Sequence, residues 1–187
     1  TRAQYMRKLI IDLLDLTRIE SGRKKREIGK INIGAIAEIS RNTMLPDADA
    51  RHIEIVLDCG PDIVMCADAG EIEMVFNNLI SNAVKYNRDG GRVDVVCRRE
   101  GSEVVISVSD TGIGMTEEEM KQLFESFSRV KNDKTFGILG SGLGLAIVKK
   151  VASIYNGDAS VTSVADEGST FTVRLQDVQV DMDGTNL

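Results

Sequence analysis

Hydrophobic positions recur along the chain with two periods, and the alternation between them sketches its elements. Over residues 4–20, Met6, Leu9, Ile10, Leu13 and Leu16 recur at steps of three and four, with Asp12, Asp15 and Arg18 at other positions. That spacing predicts an amphipathic helix, with Gly22 as its C-terminal stop. The basic stretch from Gly22 to Gly29 reads as a solvated connector rather than a localisation or nucleic-acid patch. A second helix is predicted over Ile33–Thr43, halted near Pro46. Short β-like runs follow at Ile53–Leu57 and Ile63–Cys66. A strongly amphipathic helix then runs from about Gly70 to Tyr86.

The turn at Asn87–Gly91 leads into two alternating runs, Val93–Arg98 and Val104–Ser109, joined around Gly101. A polar stretch with Glu117, Glu118 and Glu119 holds one apolar island at residues 123–127. Glycines at 137, 140, 142 and 144 open a helix from Leu145 to about Tyr155. A hairpin of Ala159–Val164 and Thr170–Leu175 closes the pattern, and the acidic tail from Asp177 has little to bury and should fray. No internal repeat is visible. Helices on one face of a mixed sheet make an α+β domain, a two-layer α/β sandwich preceded by a single helix. The expected organisation is a helix over 1–22, a linker over 23–29, a domain over 30–176 and a tail over 177–187.

Bulk properties narrow the function. The 187 residues, 42% hydrophobic and 28% charged, suit one globular domain with some extra chain. No apolar run approaches the roughly 18 residues that cross a bilayer, so the segment reads as soluble and without membrane contact of its own. A net charge of −6 offers no basic face for nucleic acid. Cys59, Cys66 and Cys97 lack metal-site spacing and read as small buried hydrophobes in a reducing compartment. His52 is the sole histidine, so a zinc site is not expected.

Three segments carry chemistry. At roughly 100° per residue, Asn78, Asn82 and Lys85 share one stripe about 60° wide beside the apolar face of Ile72, Val75, Phe76, Leu79 and Ala83. An asparagine oxygen is a neutral hard ligand suited to Mg²⁺ that already carries phosphate oxygens, and a lysine offers a point charge to phosphate. Asp110 ends an alternating strand and is followed by Gly112 and Gly114, so its carboxylate can accept from an exocyclic amine such as that of adenine. An Asp-Thr-Gly run also suits an aspartic protease, but that mechanism needs two such carboxylates, and the chain has one. Gly140, Gly142 and Gly144 run directly into a helix, exposing unpaired N–H groups to an anion. The spacing is neither that of a Rossmann fingerprint nor that of a Walker loop.

Taken in order, these segments resemble the sensor histidine kinases. Asn78-Leu-Ile-Ser-Asn-Ala-Val-Lys-Tyr86 is similar to their N box, Asp110-Thr-Gly-Ile-Gly114 to the first glycine box and Leu123-Phe-Glu-Ser-Phe-Ser-Arg129 to the F box. Gly140-Ser-Gly-Leu-Gly-Leu-Ala-Ile147 matches the second glycine box, and Gly168-Ser-Thr-Phe171 resembles the closing glycine motif. Residues 11–22 are similar to the end of the second dimerisation helix of such kinases. The resemblance implies a Bergerat-type ATP-binding sandwich with ATP and Mg²⁺ as ligands. It places Asn82 on the metal and Asn78 beside the phosphates. Lys85 falls on phosphate, Tyr86 against adenine and Asp110 on the adenine amine. It also places Phe124 and Phe127 as anchors of a mobile lid over about 115–139, and Arg129 on the γ-phosphate. Gly112, Gly114, Gly140, Gly142, Leu143, Gly144 and Thr170 complete the implied nucleotide site. Ser128 departs from the pattern, standing where many members carry an aromatic.

The same resemblance separates kinase from ATPase. In the hydrolytic relatives a glutamate stands four positions before the metal-binding asparagine and activates water. Here that position is Asn78, whose amide is no useful base at neutral pH. Kinase is therefore expected over ATPase or a nucleotide-sensing module. The phosphoacceptor histidine of the family lies on the first dimerisation helix. His52, at the edge of a β-like run, does not match it, so the acceptor helix is expected upstream and self-phosphorylation is not. The implied partners are that helix, a second copy in a parent homodimer, and the receiver domain of a response regulator. The implied location is cytoplasmic, with a parent that can be membrane-anchored. With half of the usual helical hairpin lacking, Met6, Leu9, Ile10 and Leu13 should face solvent or another molecule.

Overall fold

The computed structural model describes residues 2–21, 26–60, 62–128, 135, 138 and 140–177, the side chains of 2–5, 8, 20 and 21 aside. In chain order the elements are α1 (Arg2–Ser21), β1 (Ile28–Asn32), α2 (Ile33–Asp49), β2 (Glu54–Cys59), β3 (Val64–Asp68) and α3 (Ala69–Lys85). Then come β4 (Arg92–Glu100), β5 (Glu103–Asp110), α4 (Glu117–Met120), α5 (Gly144–Ile154), β6 (Asp158–Val164) and β7 (Gly168–Gln176). Five strands form a mixed sheet in the order β2-β4-β5-β7-β6. The β2–β4 pair is parallel and the other three pairs are antiparallel.

Strand alternation decides which face of the sheet is covered. Val93, Val95 and Cys97 of β4, Val104, Ile106 and Val108 of β5, and Phe171, Val173 and Leu175 of β7 are all buried. Helices α2, α3 and α5 pack over the sheet, with α3 against both neighbours. From α3, Ile72, Val75, Phe76, Leu79 and Ile80 are wholly buried. The two-layer mixed architecture is the one that the sequence pattern predicts.

Local chemistry sets both ends of α3. The Asp68 side chain accepts from the Gly70 and Glu71 amides at 3.0 and 3.2 Å, an N-terminal cap. At the other end the Arg51 guanidinium donates to the Val84 carbonyl at 2.7 Å and the Asn87 carbonyl at 2.6 Å, satisfying acceptors that a helix end leaves open. His52, beside it, lies in a turn with φ +54° and is exposed.

Five expectations need correction. Strand β1 occupies the end of the predicted connector: Ile28 pairs with Asp68 and Lys30 with Cys66 on β3. Its outward residues carry no alternation to betray a strand. Pro46 sits inside the last turn of α2 rather than ending it. So near the C-terminus its ring removes one N–H, and its carbonyl still accepts from Ala50 at 3.3 Å. Asp12, placed off the apolar stripe, is buried: it packs inward with Leu16 and Ile19, while Met6, Ile10 and Leu13 stay exposed as expected. Cys59 and Cys97 are not separate thiols. They lie opposite each other in the β2–β4 register, Cα atoms 4.5 Å apart, joined in a disulfide, while Cys66 is free. Asp177, assigned to the tail, accepts from the Cys66 amide at 2.9 Å and pairs with Arg99 at 2.7 Å. Residues 178–187 lie outside the described residues.

One buried polar cluster ties the chain after α1 to the domain. Arg26 grips Glu71 with Nε 3.0 Å from Oε1 and Nη2 2.8 Å from Oε2, and stacks over the Tyr155 ring at 4.7 Å. Tyr155 donates its hydroxyl to Glu71 at 2.6 Å and accepts from the Asp68 amide at 2.9 Å. Burial, then the hydrogen bond to Glu71, pushes the Tyr155 hydroxyl well above its ordinary value. Glu71 is 3% exposed at its side chain and Arg26 34%. Removing Arg26 strands a buried carboxylate, and the partial exposure of the arginine tempers the loss to about 2 kcal/mol. Urea unfolding of Arg26→Ala should show that loss, whereas Arg92→Ala, in a solvent-exposed pair with Asp94, should leave the midpoint almost unchanged.

Candidate functional site

The site lies where three elements end near one another. The C-terminal half of α3 supplies Asn78, Asn82, Lys85 and Tyr86; the end of β5 supplies Asp110; the loop that opens α5 supplies Gly140, Gly142 and Gly144. With Gly114 these line one cavity of about 290 Å³. They are widely separated in sequence, and the helix layer and the sheet bring them together.

Each side chain is held in place. The Asn78 amide donates to the Met74 carbonyl at 2.8 Å, one turn back along α3, leaving its oxygen turned toward Gly144. Asn82 is half-buried on the cavity wall and makes no side-chain hydrogen bond among the described residues. Lys85 holds its ammonium 4.9 Å from the centre of the Tyr86 ring and against Gly140, where a Cβ would collide with it. Gly142 takes φ +72°, and its carbonyl accepts from the Phe127 amide at 2.9 Å, pinning the apolar island to the glycine loop. A Cβ at Gly142 would strike the backbone of Phe127 and Ser128, so glycine is required there on two counts.

Asp110 is the electrostatic centre of the β5 side. Burial pushes its carboxyl up to about 6, against the opposing effect of hydrogen bonds from the Gly112 and Ser169 backbone. The Gly112 amide stands 2.8 Å from Oδ1. Asn87, buried at the end of α3, links the two sides by accepting from the Thr111 hydroxyl at 3.2 Å and donating to the Arg92 carbonyl at 3.0 Å.

Not every residue singled out from sequence lines the cavity. Gly112 acts through its amide on Asp110, and Leu143 is wholly buried at the start of α5. Thr170 turns its hydroxyl to Ser109 at 2.9 Å. Phe124 packs against the core with Lys149 over its ring at 5.4 Å, while Phe127 is exposed with φ +64°. Arg129 lies outside the described residues. Conversely, the cavity takes Asp12 from α1, Ser141 from the glycine loop, and Ile113 and Met115 as apolar wall. Ser141, Ile113 and Met115 stand within or beside the glycine boxes and were legible as neighbours; nothing in the local pattern announces Asp12.

The residues present suit a nucleotide. Apolar wall, one strand-end carboxylate, two amides, one ammonium and a glycine-opened helix offer complementary groups to a base at one side and an anion at the other. The asparagine oxygens are hard donors fit for a phosphate-bound Mg²⁺. Fold and site together define a nucleotide-binding α/β sandwich. The histidine kinase-, DNA gyrase B-, and HSP90-like ATPase family matches residues 67–179, and the chain belongs to it.

Among its relatives is the circadian input-output histidine kinase CikA of Synechococcus elongatus, 34% identical over 91% of this chain and 23% of that protein. Another is the phosphate regulon sensor protein PhoR of Pseudomonas aeruginosa, 32% identical over 96% of this chain and 40% of that protein. The chain thus spans well under half of these relatives. Full-length ShkA, solved in complex with AMPPNP, superimposes with a TM-score of 0.78 at 26% identity, over 89% of this chain and 35% of that one. What the chain shares with these histidine kinases includes the ATP-binding region that the family model covers.

The raised Asp110 carboxyl has a cost in stability with a definite sign. The folded value of about 6 exceeds the ordinary 3.8. The penalty is therefore absent below pH 4, grows as pH rises toward 6 and is complete above it. Asp110→Asn keeps an acceptor for the Gly112 amide without the charge. It should gain about 2 kcal/mol at pH 7.5 and little or nothing at pH 3.5, as thermal or urea unfolding at the two pH values will read.

Proposed function

We propose that this domain binds Mg-ATP and transfers its γ-phosphate to a histidine on a helix that precedes it in the parent chain, for passage to the receiver aspartate of a response regulator. The convergence of Asn78, Asn82 and Lys85 with Asp110 and the Gly140–Gly144 loop around one cavity supports this reading most directly. The family membership and the sensor kinases among its relatives support it from outside.

The division of labour follows from chemistry. Asp110, ionised above pH 6, accepts from the adenine amine and selects that base, and the Tyr86 ring lies alongside. Asn82 holds Mg²⁺ through its amide oxygen, and Asn78 stands beside it at the phosphates. Mg²⁺ supplies charge neutralisation to the transferring phosphoryl group. Lys85 adds a point charge, and the backbone N–H groups at the start of α5 complete the anion site. Arg129 is assigned to the γ-phosphate, with Phe124 and Phe127 anchoring the lid. Asn78, an amide at the position where hydrolytic relatives carry a glutamate, is no useful base for water, so hydrolysis is handicapped and ATP is kept for an imidazole acceptor. Transfer then rests on positioning and charge neutralisation rather than covalent participation by the protein.

Calorimetry should detect Mg-ATP binding to this chain, with affinity at least about tenfold weaker for Asp110→Asn and for Asn82→Ala, a loss of one hydrogen bond or ligand each. Binding should also weaken as pH falls below about 6, where Asp110 takes up a proton. Adding a histidine-bearing dimerisation domain should yield acid-labile, alkali-stable phosphate on that domain. No binding, or binding indifferent to both substitutions, would overturn the reading.

A further inference from the structure

One hydroxyl ties the loop after Asp110 to the β6–β7 hairpin. Ser163 stands opposite Ser169 near the hairpin turn and donates to the Gly168 carbonyl at 2.8 Å. With its single proton so used, its oxygen accepts from the Met115 amide at 2.8 Å and from the Ser169 hydroxyl at 3.0 Å. Met115 and Ser169 line the cavity together with Asp110. Ser163 borders an open depression that it shares with Asp110, Gly168 and Ser169. The contacts around it leave no slack. Gly114 takes φ +59° and Gly168 φ +131°, and a Cβ would strike the Val164 carbonyl from the first and the Asp110 carbonyl from the second. The Asp166 amide donates to the Ile113 carbonyl at 2.9 Å. Residues 113–115 are thus seated on the hairpin turn.

Ser169 is the partner of Asp110 across the β5–β7 pair, and its backbone supplies one of the two hydrogen bonds that hold the carboxylate. We propose that Ser163 is a positioning residue of the nucleotide site: through Ser169 it sets the Asp110 carboxylate, and through Met115 it fixes the root of the segment assigned as a lid. The inference rests on the nucleotide-site reading above and adds to it a residue that acts only through its neighbours. A hydroxyl that served the hairpin alone would change stability and leave the carboxylate as it was. One that sets Asp110 also changes how it titrates, because a weaker hydrogen bond from Ser169 disfavours the ionised form. The pH at which Asp110 becomes an acceptor for the adenine amine then rises. Lys85 and Asp12 line the same cavity and Glu167 borders the depression. These charges are the same in every variant at position 163, so a difference in midpoint between variants reports on the hydrogen bonds.

The test measures Mg-ATP binding to the full chain and to Ser163→Ala and Ser163→Thr across a pH series that brackets 6. Ser163→Ala should bind about fivefold more weakly at pH 7.5, the order of one net hydrogen bond. Its deficit should widen as pH falls toward 6, because its midpoint lies above that of the unsubstituted chain. Ser163→Thr keeps the hydroxyl on a residue that suits a strand and should recover most of the loss, with the midpoint restored. Ser160→Ala, which removes an exposed hydroxyl from the same strand, should bind like the unsubstituted chain. Independently of any variant, the Met115 amide should exchange at least about tenfold more slowly than that of Glu118 in the free first turn of α4. Undiminished binding by Ser163→Ala, a deficit equal at every pH, or a threonine variant as weak as the alanine one would overturn the proposal. So would a Met115 amide that exchanges as fast as that of Glu118. If the unsubstituted chain binds no nucleotide, the functional reading fails and this inference with it; if it binds and only the variants depart from these outcomes, this inference alone fails.

Discussion

The site depends on one helix end being held still. Asn78, Asn82 and Lys85 all project from the second half of α3, where a helix leaves its last carbonyls unsatisfied and tends to fray. Arg51 removes that freedom by donating to the Val84 and Asn87 carbonyls, and it pairs with Asp89 at 2.8 Å. Asn87 carries the constraint across to Thr111 and so to the strand end that bears Asp110. The amide and ammonium groups of one wall and the carboxylate of the other are thereby set at a fixed separation before any ligand arrives. Preorganisation of this kind spares binding the cost of ordering those side chains.

Function is placed against stability at Asp110. A carboxylate pushed up to about 6 is only partly compensated by two backbone hydrogen bonds. Such a group is under-satisfied among the described residues and keeps an acceptor on the cavity wall. Asn82 shares that condition, being half-buried without a side-chain partner among the described residues. By contrast, the Arg26–Glu71–Tyr155 cluster at the N-terminal end of α3 closes its charges against one another. A buried charge completed by its neighbours holds structure, whereas one left incomplete on a cavity wall awaits a ligand.

The two ends of α3 also divide the ways in which the chain before the domain is attached to it. Arg26 fastens the chain just ahead of β1 to Glu71 and Tyr155, and β1 then pairs with β3. Ahead of that anchor, α1 packs on α5 and meets the glycine loop through Asp12, which accepts from Ser141. The attachment of α1 is apolar as well as polar, since Leu16 and Ile19 are buried in the same core.

What the sequence by itself determined was periodic or local. The 3.6-residue stripe of α3, the period-two runs of β4, β5 and β7, and the glycines opening α5 follow from backbone geometry, so Asn78, Asn82, Lys85, Asp110, Gly140, Gly142 and Gly144 were legible in advance as candidates, and they line one cavity. Tertiary structure alone decided whatever depends on pairing between distant segments. Polar β1 becomes a strand because β3 offers it hydrogen bonds, and Cys59 meets Cys97 because a parallel crossover sets the β2–β4 register. Asp12 is buried because α5 covers the Leu16–Ile19 side of α1, and not the longer apolar stripe that periodicity favours. Periodicity records how a segment can bury a face; only the packed chain settles which face meets which neighbour.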